Sequence, residues 1–304
     1  AKLGLFDAKV PRYTSYPTAP HFNNDVTPDI YASWIRAIPA RSQVSLYVHV
    51  PFCRRLCWFC ACRTQGTASA SPVAAYLETL KAELALLKET LPQGVTLSRL
   101  HWGGGTPTLL EPGMMEDLAG AIFDVAPMAE GGEFSVEIDP NEIDDARLAV
   151  LAKSGMNRAS IGVQDFDDEI QKTIGRIQGY DITRDAVEAI RAHGVKSLNA
   201  DILFGLPHQS QARITESVQK LLSLSPDRVA LYGYDITRDA VEAIRAHGVK
   251  SLNADILFGL PHQSQARITE SVQKLLSLSP DRVALYGYDI TRDAVEAIRA
   301  HGVK

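Results

Sequence analysis

All four cysteines of the chain lie within ten residues, at Cys53, Cys57, Cys60 and Cys62. Disulfide frameworks spread their cysteines along the chain, whereas a bridge within this stretch would close a very short loop and stabilise little. Structural zinc sites usually take their ligands from two separated pairs. Iron–sulfur clusters, by contrast, are held by closely spaced thiolates on one loop. The spacing therefore favours an iron–sulfur cluster, with a zinc site or buried thiols as the alternatives.

Two aromatic residues, Trp58 and Phe59, lie between the second and third cysteines. An apolar shell keeps water away from a cluster and tunes its reduction potential, so both side chains suit that environment. Ordinary packing in the core is the alternative interpretation of the same two residues.

The first three cysteines, spaced C-x3-C-x2-C, resemble the signature of the radical S-adenosylmethionine (SAM) superfamily. In that superfamily three thiolates hold a [4Fe–4S] cluster, and the fourth iron binds the amino and carboxylate groups of SAM. The resemblance implies that Cys53, Cys57 and Cys60 are the cluster ligands. The additional Cys62 resembles the oxygen-independent coproporphyrinogen III oxidases, which implies a non-ligand thiol close to the site and a candidate catalytic residue.

The elements that must position this loop are strands alternating with helices. Apolar runs bounded by turn residues predict strands at residues 45–52, 97–102, 134–138, 158–166, 197–207 and 227–234. Such alternation predicts an α/β fold with a parallel sheet, and the resemblance implies a radical-SAM-type partial (β/α)6 barrel. The cysteines follow the first strand, at the carboxyl end where α/β folds place their chemistry.

Further motifs of the same family follow in order along the chain. The resemblance implies cofactor contacts from Tyr47, Gly104, Gly105, Thr106, Glu137, Gln164, Arg176 and Asp201. Glycines after a strand let the backbone approach a ligand closely, and in the family this turn contacts the amino group of SAM. A carboxylate such as Glu137 also suits a cationic sulfonium ligand. Taken alone, these features indicate a tight turn and polar groups satisfied by neighbouring backbone.

Residues 1–40 contain five prolines and no strong periodicity, which predicts an extended N-terminal arm more than a helix. Residues 11–18 resemble the N-terminal motif of the coproporphyrinogen oxidase family. Arg12 within this motif is a second candidate catalytic residue, because a guanidinium matches the geometry of a substrate carboxylate. A solvated surface arginine is the alternative.

An identical repeat begins after the predicted core. Residues 179–232 recur without mismatch as 233–286, a period of 54 residues, and a third copy runs to the last residue. Natural repeats diverge between copies, so this identity indicates a very recent duplication, an assembled sequence or a generated one. The predicted domains are a 1–40 arm, a 41–232 radical SAM core, and a 233–304 copy of 179–250.

Each repeat copy contains two predicted βα modules, so one extra copy raises the expected strand count from six to eight. Eight strands could extend the partial barrel toward a closed (β/α)8 barrel. After Tyr232 the family continues with a Tyr-Ala-His stretch, which this chain lacks. We therefore expect the family's C-terminal covering region to be replaced, and Asp255, the copy of Asp201, to have no site to serve.

Composition and charge argue against several classes of binding partner and location. The 304 residues are 45% hydrophobic and 22% charged, with a formal net charge of −5, which gives no nucleic-acid footprint. No apolar run approaches the roughly 20 residues that span a bilayer, and no signal peptide is recognisable. Clustered free thiols favour a reducing compartment. We expect a cytoplasmic monomer without nucleic-acid or membrane partners.

The resemblance implies a radical SAM coproporphyrinogen dehydrogenase of haem biosynthesis, an oxidoreductase. It would decarboxylate propionates of coproporphyrinogen III to vinyl groups, giving protoporphyrinogen IX, with a [4Fe–4S] cluster, SAM and an external electron donor or acceptor. One alternative is the haem-chaperone relative of the superfamily, against which Cys62 and the Arg12 motif argue. The other is a non-catalytic metal-binding scaffold, which the identical repeat keeps open.

Overall fold

A computed structural model describes residues 25–60 and 62–233 of the chain, together with the backbone of 251–258 and 282–287. These residues belong to two compact units. The first comprises residues 25–162 and 174–198, and the second comprises residues 163–173 and the described residues from 199 onward. Each unit is an assembly of parallel strands and helices.

Parallel strands form the sheet of the first unit. In chain order the strands of this unit are β1 (Gln43–Val50), β2 (Phe52–Cys53), β3 (Gln65–Gly66), β4 (Thr96–Gly104), β5 (Met128–Ile138) and β6 (Arg158–Gln164), whose last two residues belong to the second unit. β2 and β3 pair only with each other, in a separate two-stranded parallel sheet. β1 pairs with β4, β4 with β5, and β5 with β6, all parallel. Because His49 pairs with Gly103 and Val50 with Gly104, the carboxyl ends of β1 and β4 lie side by side.

Helices cover the core of the same unit. They are α1 (Pro28–Arg36), α2 (Ser71–Thr90), α3 (Pro112–Val125), α4 (Asp145–Lys153) and α6 (Tyr180–Ala192), with α5 (Asp168–Ile174) between the last two in the chain. Leu118 of α3, Leu148 of α4, Trp102 of β4 and Phe134 of β5 are all fully buried, at 0% exposure. The Trp102 and Phe134 rings meet edge to face with centroids 5.3 Å apart. This aromatic and aliphatic core fixes the strands whose ends carry the candidate site.

Replacing Leu148 by alanine should destabilise the protein by about 2–5 kcal/mol, because the change leaves a cavity in a fully buried position. The measurement is the free energy of unfolding in urea. Leu86→Ala on α2 is the matched control, since Leu86 is 66% exposed and should change that free energy by no more than about 0.5 kcal/mol. Equal losses in both variants would contradict this assignment of the core.

The second unit continues the alternation. Its elements are α5 (Asp168–Ile174), β7 (Ser197–Phe204), α7 (Gln211–Ser223), β8 (Arg228–Gly233), β9 (Ser251–Phe258) and β10 (Arg282–Gly287). The four strands pair in parallel in chain order. The copies use one register, because Asn199 pairs with Arg228 just as Asn253 pairs with Arg282.

The predicted α/β class with a parallel sheet of six strands is confirmed. The repeat copy also contributes backbone strands at 251–258 and 282–287, while closure toward an eight-stranded barrel stays a prediction. Gly287 opens the third copy, and the remainder of that copy lies outside the described residues.

Two local predictions were wrong. Residues 28–36 of the expected extended arm form α1, because Pro28 occupies the first helical position and the Thr27 hydroxyl accepts a hydrogen bond from the Ile30 N–H. Ser71 directly before Pro72 predicts that Ser71 caps a helix, but Ser71 is the first helical residue of α2, and no side-chain cap is present there. In the described part of the chain, no helix is long and apolar enough to cross a membrane.

Candidate active site

The cysteine loop is anchored by backbone hydrogen bonds at both ends and in the middle. Gln65 N–H donates to the Pro51 carbonyl at 2.6 Å, and Thr67 N–H donates to the Cys53 carbonyl at 2.9 Å. Between these bonds, Trp58 N–H donates to the Ile174 carbonyl at 3.0 Å. The two ends of the loop are therefore joined beside the β2–β3 pair and its middle is held by Ile174, which fixes where its thiols lie.

Three thiols lie close enough for each to influence the others' charge. Burial raises the pKa of Cys53 and of Cys57, and the neighbouring thiols, Cys60 among them, raise both further. Two donors oppose this effect: the Thr106 hydroxyl lies 3.6 Å from the Cys53 sulfur, and Arg176 Nη1 lies 3.8 Å from the Cys57 sulfur. Such thiols lose their protons readily only when a metal supplies positive charge.

The pKa values of Cys60 and Cys62 shift in opposite directions. The hydrogen bond between these two side chains lowers the pKa of Cys60 and raises the pKa of Cys62. The family resemblance makes Cys60 a ligand and Cys62 a non-ligand. These roles stay predictions.

Among the described residues, no group of three His, Cys, Asp or Glu side chains converges on a single metal ion. Cluster ligands do not need to converge in that way, because each thiolate binds a different iron. Three soft thiol donors on one anchored loop, with hydrogen-bond donors to their sulfurs, fit an iron–sulfur cluster.

Arg176 lies at the cysteine loop with its side chain only 14% exposed. Its guanidinium donates to the Gly162 carbonyl at 3.0 Å and lies 3.5 Å from an Asp139 carboxylate oxygen, in addition to the Cys57 contact. The charge is therefore paired and hydrogen-bonded, as a nearly buried cation requires. Arg176 therefore lies beside Cys57, and its role as a cofactor contact stays a prediction.

The glycine-rich turn packs directly on the start of the cysteine loop. Gly105 N–H donates to the Val50 carbonyl at 2.7 Å, and Thr106 N–H donates to the Phe52 carbonyl at 2.8 Å. A Cβ at Gly105 would lie 2.6 Å from the Phe52 carbonyl oxygen, and one at Gly104 would lie 2.4 Å from the His49 ring. The glycines are thus required by packing within the protein as well as by any ligand.

Glu137 and Tyr47 join this turn through two histidines that the sequence interpretation missed. Glu137 accepts a hydrogen bond from Gly104 N–H at 3.1 Å and lies 3.2 Å from His101 Nε2. The Tyr47 ring stacks on His101 with centroids 5.6 Å apart, and its hydroxyl lies 2.9 Å from His49 Nδ1. Burial, with the Glu137 carboxylate nearby, raises the pKa of Tyr47 to about 12, so its phenol stays protonated.

The placement of His49 beside Tyr47 could have been predicted from the sequence, unlike that of His101. Tyr47 and His49 are two residues apart on β1, so their side chains share a face of the sheet. His101 is the register partner of Tyr47 on β4, which the sequence alone does not reveal.

The remaining candidates are Gln164, Asp201 and Arg12. Gln164 and Asp201 belong to the second unit: Gln164 ends β6 with a φ of +68°, and the Asp201 carboxylate accepts from Asn199 Nδ2 at 2.7 Å. Arg12 lies outside the described residues. Trp58 is 85% exposed, so the core-packing interpretation of this residue is wrong.

Family comparison agrees with this fold. The family model for the Radical SAM superfamily matches residues 47–221, more than half of the chain. The chain therefore belongs to the radical SAM superfamily. Membership implies a [4Fe–4S] cluster and SAM as cofactors.

The similarity to individual proteins is more specific than the match to the superfamily. The chain is 68% identical over 233 residues to the oxygen-independent coproporphyrinogen III oxidase of Paracoccus denitrificans, covering 77% of this chain and 52% of the relative. A Cereibacter sphaeroides protein of the same name is 62% identical over 234 residues, with the same coverage. The solved coproporphyrinogen III oxidase of Escherichia coli, a radical SAM enzyme, gives a TM-score of 0.71 at 30% identity, covering 87% of this chain and 58% of that one. The chain thus spans about half the length of the curated relatives it matches.

Proposed function

We propose that the chain acts as a radical SAM coproporphyrinogen III dehydrogenase, which oxidatively decarboxylates the propionate groups of coproporphyrinogen III to vinyl groups. The observation that carries the proposal is the anchored loop that brings the Cys53, Cys57 and Cys60 thiols close together, with Cys62 beside Cys60. The names of relatives up to 68% identical to this chain support the substrate. Coproporphyrinogen III, an electron donor or acceptor, a monomeric state and a cytoplasmic location form part of the proposal.

The candidate residues have distinct tasks in this function. When bound, the cluster and SAM supply one-electron cleavage of SAM and hydrogen-atom abstraction from the substrate. Cys53, Cys57 and Cys60 hold the cluster, while Cys62 keeps its proton and donates to the Cys60 sulfur. The partly buried Arg176 contributes positive charge beside Cys57, which favours the thiolate form.

The glycine-rich turn and Glu137 provide acceptors for the amino group of SAM, through carbonyl oxygens and a carboxylate. Tyr47 contacts His49 through its hydroxyl and His101 through its ring, and its phenol stays protonated. Gln164 and Asp201 act as further cofactor contacts, and Arg12 pairs with a substrate carboxylate. We also propose the domain division at residues 1–40, 41–232 and 233–304.

The test is anaerobic incubation of the cluster-loaded protein with SAM and a strong reductant. Formation of 5′-deoxyadenosine is expected, and its absence from folded, cluster-loaded protein would refute the proposal. Adding coproporphyrinogen III then tests the substrate, with slow or absent turnover expected beside retained SAM cleavage. Tight haem uptake without turnover would favour a haem chaperone, and zinc in place of iron and sulfide would favour a scaffold.

Replacing Glu137 by glutamine should weaken SAM binding about ten-fold, because one negative charge facing the amino group is lost while the side-chain shape is kept. The dissociation constant for SAM, measured on the cluster-loaded protein, reports the change. Glu133→Gln on the same strand is the control, since Glu133 pairs with Arg158 instead. Equal affinity in the two variants would remove Glu137 from the site.

A further inference from the structure

Asp165 is a fully buried carboxylate that has no part in the proposed function so far. Its exposure is 0%, and it is the only charged residue among the buried polar side chains of the described residues. Removing a carboxylate from water is costly unless hydrogen bonds replace the lost hydration. The donors around Asp165 therefore indicate what the buried charge holds in place.

Three segments of the second unit donate to this carboxylate. Oδ1 accepts from Ser217 Oγ of α7 at 2.7 Å and from Asp167 N–H, just before α5, at 2.8 Å. Oδ2 accepts from Gln209 Nε2, in the turn before α7. Ser217 Oγ also accepts from Phe166 N–H at 3.1 Å, so the segment that follows β6 is bonded at consecutive residues.

The residue directly before Asp165 has an unusual backbone conformation. Gln164 has a φ of +68°, and Asp165 N–H donates to the Val163 carbonyl at 2.9 Å, which closes a three-residue turn with Gln164 at its centre. Turns of this kind are rare and strained for residues other than glycine, and they persist only where the surroundings fix them. The Asp165 carbonyl is also bonded, by Gln171 Nε2 at 2.8 Å.

Gln209 extends the network to the next strand. Its side-chain oxygen accepts from Gly205 N–H at 2.7 Å and from Leu206 N–H at 3.3 Å, and its Nε2 also donates to the Leu203 carbonyl at 3.0 Å. The turn after β7, the strand that carries Asp201, is thus bonded through one side chain to Asp165.

We infer that Asp165 is a positioning residue, which holds Gln164 in its left-handed conformation and ties it to the turn after β7 so that the Gln164 amide is presented to SAM. The inference rests on the proposed function, because only there does Gln164 contact SAM. Asp165 itself is buried and acts through Gln164.

The first measurement is the dissociation constant for SAM of cluster-loaded variants, followed through the electron paramagnetic resonance signal of the reduced protein. Asp165→Asn places an amide donor against Gln209 Nε2, and Ser217→Ala removes a donor to Oδ1. Each should weaken SAM binding about ten-fold with unchanged iron content. Gln164→Ala should have an effect of similar size, and adding Asp165→Asn to it should change affinity by less than about two-fold.

Ser210→Ala is the matched control for Ser217→Ala. Ser210 caps α7 through Arg213 N–H and does not touch Asp165, so its loss should leave SAM affinity unchanged. Equal weakening in the two serine variants would overturn the inference in favour of general stability. The inference would also be overturned if Asp165→Asn weakened SAM binding in the Gln164→Ala background as much as it does alone. It would be overturned, too, if Gln164→Ala by itself bound SAM normally.

A second readout needs no cofactor. Amide hydrogen exchange of residues 164–167 and 203–206 in cluster-free protein should accelerate about ten-fold in the Asp165→Asn and Ser217→Ala variants, but not in Ser210→Ala. Unchanged exchange in these variants would refute the inference, whether or not the unmodified protein binds SAM. Failure of the unmodified protein to bind SAM would refute the proposed function instead. If Asp165→Asn does not fold, Ser217→Ala decides the result.

Discussion

Replacing Cys57 by alanine is expected to abolish cluster binding, reducing iron from about four atoms per chain to nearly none. Two remaining thiols cannot hold three irons, and the Arg176 guanidinium beside Cys57 would lose the thiolate that it faces. The measurement is iron and sulfide content after anaerobic reconstitution, with the low-temperature spectrum of the reduced protein. Circular dichroism should remain unchanged, because the cysteine loop lies outside the hydrophobic core.

Cys62→Ala is the matched control, with the same chemical change five residues away. It removes a hydrogen bond to the Cys60 sulfur but no ligand, so iron content should persist. The reduction potential should become more negative, since a hydrogen bond to sulfur stabilises the more negatively charged reduced form. Loss of iron in Cys62→Ala to the extent seen in Cys57→Ala would contradict the division into three ligands and one non-ligand.

Replacing Gly105 by alanine should also eliminate cluster binding, but through the backbone. The added Cβ would lie 2.6 Å from the Phe52 carbonyl oxygen and 2.9 Å from the Phe52 nitrogen, one residue before the first ligand cysteine. Backbone atoms held in paired strands cannot yield as the end of a flexible side chain would. We expect a loss of about 3 kcal/mol in the free energy of unfolding, together with a displaced Cys53.

Gly120→Ala is the control for the addition of a methyl group to a glycine. Gly120 is exposed within α3, a Cβ there meets nothing within 4 Å, and alanine in a helix should stabilise by about 1 kcal/mol. The free energy of unfolding in urea should therefore fall in Gly105→Ala and rise in Gly120→Ala, while iron content after reconstitution should be lost in Gly105→Ala alone. Full iron loading in Gly105→Ala would show that the glycine-rich turn does not position the cysteine loop.

The ligand loop and the strands were predictable because their signals are local. Cysteine spacing and the period of apolar residues are read within one short window, and both agree with the structure. The pairing of Tyr47 with His101 was not predictable, because it depends on the register between β1 and β4, strands separated by a long helix. The helix at Pro28 was missed because prolines were interpreted as helix breakers, although the first helical position tolerates them.

The buried network around Asp165 was hidden for the same reason. Asp165 and Ser217 are 52 residues apart, and nothing in the sequence near either residue indicates the other. The family resemblance predicts Gln164 as a cofactor contact, whereas the strained backbone conformation of Gln164 emerges only from the folded chain. Non-local contacts of this kind supply the part of the site that sequence patterns leave out.

The repeated strands have a consequence for how this chain reaches its native state. β8 lies between β7 and β9, which have the same eight residues, and pairs with them in registers that differ by two positions, so each side chain keeps its face. A pairing that skips one copy lengthens a loop by 54 residues, at an entropic cost on the order of 1 kcal/mol. Competing pairings are thus nearly degenerate, and refolding should partition among kinetic traps, including exchange of copies between two chains.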